Sequence, residues 1–76
     1  MFAKTADFYL VVFLLCKGIT VEGMNSLDTR KVFIFQDTEE YRDLKNTYYS
    51  NNALINPIDF KARIRELKAL IEKDNQ

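Results

Sequence analysis

The run Phe8-Tyr9-Leu10-Val11-Val12-Phe13-Leu14-Leu15-Cys16 decides how this chain folds: nine apolar residues in succession, with Thr5 and Asp7 in front and Lys17-Gly18 behind. A membrane-spanning helix needs about 20 mostly apolar residues, and Gly18-Ile19-Thr20-Val21-Glu22 does not extend the run. A secretory signal carries about 7–15 apolar residues after a positive start. Lys4 supplies that charge, but Asp7 sets a negative one against the run, and no small-x-small cleavage pattern follows. Bulky Leu15 stands where a lipoprotein site needs a small residue before Cys16. A core helix remains. Thr5 or Asp7 caps its free N–H groups, Lys17 suits its negative end, and Gly18 is the left-handed residue just past it. Its apolar residues go all the way round, so the helix must be covered on most sides.

Cover is scarce in so small a chain. Seventy-six residues make one domain, and a chain of this mass buries only about 63% of its extended surface. With 47% apolar residues, a homodimer is expected. Eleven basic and eleven acidic residues leave no net charge, which counts against a dedicated nucleic-acid binder. The single Cys16 has no internal disulfide partner and reads as a buried, inert thiol in a reducing cytoplasm.

Beyond Gly18 the period changes. Ile19-Thr20-Val21-Glu22 alternates as a half-buried strand does, Gly23 marks a bulge or bend, Met24-Asn25-Ser26-Leu27 is an irregular continuation, and Asp28-Thr29-Arg30 reads as a turn. Lys31-Val32-Phe33-Ile34-Phe35-Gln36 is the clearest strand, apolar on both faces, which predicts that both faces are covered. Asp37 with Glu40 matches a capping box opening a second helix, whose buried stripe is Tyr41, Leu44 and Tyr48. Ser50-Asn51-Asn52 breaks it. Asn56-Pro57 then caps and starts the last helix, with Phe60, Ile64, Leu67 and Ile71 on its apolar stripe. The expected fold is a single small α+β domain over 1–76, core about 5–73, in the order α-β-β-α-α. It pairs a two-stranded antiparallel hairpin with three helices.

The strings Thr5-x-Asp7-Phe8-Tyr9-Leu10-x-x-Phe13-Leu14-Leu15-x-Lys17-Gly18 and Val32-Phe33-Ile34-Phe35-x-Asp37-Thr38-Glu39-Glu40, with the closing Leu67-Lys68-x-Leu70-Ile71, resemble an uncharacterised family of short bacterial and phage domains, domain-of-unknown-function family 5659. The resemblance covers nearly the whole chain. It implies a stand-alone cytosolic protein of phages or mobile elements, and it carries no catalytic residues over.

The residues themselves offer little chemistry. There is no histidine, and Gly18 and Gly23 flank a strand, so they make no phosphate loop. Asp37, Glu39, Glu40 and Asp43 are the one acidic cluster, and first-turn carboxylates serve helix capping and dipole needs. No catalytic residue, cofactor or metal is expected, and no membrane partner. Lys61, Arg65 and Lys68 line one face of the last helix and Arg30-Lys31 sits at the hairpin tip, a candidate nucleic-acid surface. The stronger expectation is a non-enzymatic protein-interaction or regulatory module, self-associating and docking on a host protein. Tyr9, Phe13, Val32, Ile34 and Tyr49 are the interface candidates.

Overall fold

The computed structural model describes residues 1–27 and 30–74. Its elements are β1 (Phe2–Thr5), α1 (Phe8–Cys16), β2 (Gly23–Leu27), β3 (Arg30–Gln36), α2 (Glu39–Tyr49) and α3 (Pro57–Asp74). The α+β class and the three helices match the sequence reading. The sheet has three strands, not two, in the order β1-β3-β2, with β3 antiparallel to both neighbours. The extra strand precedes α1, so β1, α1 and β2 form a split βαβ unit whose gap β3 fills. The turn expected at Asp28-Thr29 lies outside the described residues.

Helix α1 forms where its end signals require. Asp7 is the N-cap, its Oδ1 accepting from the Leu10 N–H at 3.2 Å. At the other end Gly18 takes φ +87°, the Gly18 N–H donates to the Leu15 carbonyl and the Ile19 N–H to the Leu14 carbonyl. That pair of bonds closes a Schellman motif. It also accounts for the later start of the second strand. Ile19 is bonded back to the helix, so 19–22 is a connector whose Ile19 and Val21 pack on the core, and β2 starts only at Gly23.

Leu10, Val11, Val12, Phe13 and Leu14 are fully buried within this one chain, together with Phe33, Phe35, Tyr41 and Leu67. The run apolar on every side finds its cover in the sheet and in α2 and α3, and a second subunit is not needed for that purpose. Helix α2 is capped by Thr38, whose Oγ1 accepts from the Tyr41 N–H at 3.0 Å. Asp37, the expected cap, instead pairs with Arg42 at 3.1 Å. Asn51, at φ 62°, ends α2 in a second Schellman motif, with Asn52 bonded to the Thr47 carbonyl. Asn56 and Pro57 open α3 as expected, the Ile58 N–H donating to Asn56 Oδ1 at 2.8 Å. Among the described residues no helix is long and apolar enough to cross a membrane.

Candidate interaction surfaces

Strand register divides the sheet into two unlike faces. Side chains directly across a ladder share a face. Ala3 with Phe35, and Thr5 with Phe33 and Met24, therefore point one way. Phe2 with Gln36, Lys4 with Ile34 and Gly23, and Val32 with Asn25, point the other. All three helices are tied to the first face: α1 shares the core with Phe33 and Phe35, Tyr41 of α2 packs on Phe35 at 5.4 Å between ring centroids, and Asp74 of α3 pairs with Lys31. Val32 and Ile34 are half-buried and stand outside the core cluster. The expectation that both faces of β3 are covered is thus corrected. The second face is open among the described residues, and Phe2 lies on it mostly exposed.

A second surface surrounds the start of α1. Tyr49 Oη donates to Asp7 Oδ2 at 2.6 Å, so one carboxylate caps α1 and holds the end of α2. The bond to Asp7 and partial burial push the Tyr49 hydroxyl up to about 12. Tyr9 stacks on Phe60 with centroids 6.3 Å apart and planes 17° off parallel. Tyr9 and Tyr49 are each 54% exposed, as interface candidates should be. Phe13 is not. It is fully buried, 5.6 Å from the Tyr48 ring, with Lys17 Nζ 5.6 Å from its own ring centroid. It is a core residue and offers a partner no surface.

The five basic candidates do not converge. Lys31 faces the helical side, where its Nζ meets Asp74 Oδ2 at 2.7 Å and Ser26 Oγ at 3.0 Å. Arg30 is exposed and, one residue away on a strand, projects to the opposite face. Lys61, Arg65 and Lys68 are exposed along α3 and make no ion pair among the described residues, while Arg63 is taken by Glu66. Glu39, Glu40 and Asp43 make a matching exposed group on α2, likewise without ion pairs among the described residues. Burial pushes the Cys16 thiol up, away from the reactive thiolate.

The sequence reading misses Leu54 and Ile58, which are 83% and 78% exposed. The signal is present: Ile58 falls off the stripe of Phe60, Ile64, Leu67 and Ile71 that faces the core. A groove of about 390 Å³ runs beside α3, floored by Leu15, Ile19, Val21 and Leu67, with Arg63 and Glu66 at its rim. Its apolar floor continues the core outward and carries no nucleophile or base.

No curated relative and no solved structure matches the chain. The family profile of the domain of unknown function DUF5659 matches residues 2–73, almost the entire described fold from β1 through α3, and the chain belongs to that family.

Proposed function

We propose that this domain is a non-enzymatic protein-interaction module of the cytoplasm, self-associating and presenting its open sheet face to a host protein, in the manner of a phage or mobile-element accessory. The observation that carries the reading is the placement of Val32 and Ile34: two aliphatic side chains on the central strand, outside the core, with no helix laid over them among the described residues. Burying such a face is worth about 25 cal/mol per Å² of apolar surface. Phe2 adds an aromatic anchor at one end, and Lys4, Asn25 and Gln36 form a polar margin, the layout of an apolar centre with a wet rim. The test is affinity capture from host extract with the wild-type chain and with Ile34→Lys, both checked for fold by circular dichroism. A partner held by the wild type and lost by the variant supports the reading; equal capture by both contradicts it.

A second reading is favoured by one observation, the exposed stripe Lys61, Arg65 and Lys68 on α3, which makes no ion pair among the described residues: contact with a nucleic-acid backbone. Such binding loses affinity steeply as salt rises. It would have to proceed without Lys31, which is paired with Asp74.

A further inference from the structure

Strand β2 ends the sheet with its outer edge unpaired among the described residues, and the ladder fixes which of its backbone groups face outward. The Asp37 N–H donates to the Met1 carbonyl at 3.1 Å, one step beyond the Phe2–Gln36 pair. Bonded and unbonded pairs alternate along an antiparallel ladder, so Phe35 and Phe33 turn their backbone groups to β1, and Ile34 and Val32 turn theirs to β2. The Glu22 N–H agrees, donating to the Ile34 carbonyl at 2.8 Å. Gly23 and Asn25 are the partners of Ile34 and Val32. Met24 and Ser26 therefore aim their N–H and C=O groups away from the sheet, and Asn25 and Ser26 are exposed.

This edge is also unguarded. Sheet edges are commonly blunted by a charged side chain, above all lysine, by proline or by a bulge. The opposite edge, β1, carries Lys4. Strand β2 reads Gly23-Met24-Asn25-Ser26-Leu27, with neither charge nor proline, and pairs residue for residue with β3. The nearest charges along the sequence, Glu22 and Asp28, stand outside those residues.

We infer that β2 pairs antiparallel with β2 of a second copy about a two-fold axis through Asn25. Such an axis sets Met24 of each copy against Ser26 of the other as a hydrogen-bonded pair, so every outward N–H and C=O of the two residues finds a partner and none is left over. Asn25 then meets Asn25 of the second copy in an unbonded pair, where side chains approach most closely, and each carboxamide offers both the donor and the acceptor that the other needs. The fit is between the strand and its own reversed copy, which selects a second copy over another extended segment. A two-fold makes each contact twice. The two sheets join as β1-β3-β2-β2-β3-β1, with Val32 and Ile34 of both copies on one continuous open face. The proposal rests on the self-associating part of the functional reading and leaves that face to other partners.

Charges placed on the axis test it. Asn25 is exposed, so Asn25→Lys and Asn25→Glu alter a surface position. Each alone sets like charges against each other across the axis, and an equal mixture sets a cation against a carboxylate. Sedimentation reports the mass of each alone and of the mixture, with fold checked by circular dichroism. The wild type is expected to reach twice 8.9 kDa, each variant alone to dimerise about fivefold more weakly, and the mixture to recover. Ser26→Pro removes an outward N–H that β3 does not use, a placement proline tolerates on an edge strand, and is expected to weaken the dimer about tenfold. A wild type fixed at 8.9 kDa overturns the proposal and the self-associating reading together. A dimer undiminished in these variants, or a mixture no tighter than its components, overturns the proposal alone and leaves self-association standing. Capture of an extended segment of another protein by a monomeric wild type, lost in Ser26→Pro, overturns the second copy as occupant.

Discussion

Tyr49 Oη donates to Asp7 Oδ2 at 2.6 Å, across 42 residues of sequence, and through that bond the last residue of α2 is fastened to the cap of α1. Asp7 uses its other oxygen on the Leu10 N–H, and its own N–H donates to Thr5 Oγ1. One residue thereby joins the end of β1, the start of α1 and the end of α2.

This triple use sets the cost of losing it. An ordinary cap replaced by alanine costs about 1 kcal/mol, the expected effect of Thr38→Ala, whose side chain accepts from the Tyr41 N–H. Asp7→Ala is expected to cost about 2–3 kcal/mol, because a charge-assisted bond to Tyr49 is lost as well. Urea unfolding of Asp7→Ala, Tyr49→Phe and the double variant gives the coupling directly, expected near ~1 kcal/mol. Strict additivity would show the bond to be idle in solution.

The same bond has a pH signature. Folded Tyr49 keeps its proton up to about 12, whereas an unfolded tyrosine titrates near ~10. The folded state therefore holds that proton more tightly. Its contribution is complete below about pH 10 and is lost as pH rises through the folded value. Stability measured across this window is expected to fall with pH in the wild type. In Tyr49→Phe it should fall less, leaving the part due to Tyr41, Tyr48 and Cys16, which burial also pushes up.

Tyr41 gives the opposite sign of effect. Its ring packs on Phe35, but its buried hydroxyl has no hydrogen-bond partner among the described residues. A buried polar group left unpaired costs about 1–3 kcal/mol. Tyr41→Phe keeps the ring and removes the cost, so its thermal midpoint is expected to rise. A fall would mean that the hydroxyl has found a partner, such as a bound water.

The two glycines should separate cleanly. Gly18 sits at φ +87° with nothing within 4 Å of where an alanine methyl would stand, so Gly18→Ala carries backbone strain alone, about 1–2 kcal/mol. At Gly23 an added methyl meets Ile34 Cδ1 at an ordinary 3.7 Å and no left-handed backbone is required. Gly23→Ala is expected to be neutral or stabilising by less than about 1 kcal/mol. Chemical denaturation of the pair checks both.

What is legible in the sequence follows the range of the interactions involved. Asp7, Gly18 and Asn56-Pro57 act on their own helix ends, and their local signals place α1 and the start of α3 correctly. Strand β1 is invisible because Phe2-Ala3-Lys4-Thr5 has no strand signal of its own; it exists through pairing with residues 33–36, far along the chain. Ile19 to Glu22 mislead because the alternation of a connector packed on a core resembles that of a strand. Asp37 stands one residue ahead of the cap, its carboxylate paired with Arg42, while Thr38 directly precedes the helix and accepts from the Tyr41 N–H. The interface candidates divide the same way. Exposed Tyr9 and Tyr49 follow from their chemistry, whereas Phe13 follows from the supposition that α1 lacks cover, which the tertiary packing supplies.

The central claim, an interaction module that meets a second copy of itself, is tested most directly by sedimentation equilibrium of the unmodified chain. The measurement spans about 10 μM to about 1 mM protein, at salt below and above about 0.15 M. The mass is expected to climb from 8.9 kDa toward twice that value with concentration. A mass fixed at 8.9 kDa across the whole range would contradict it.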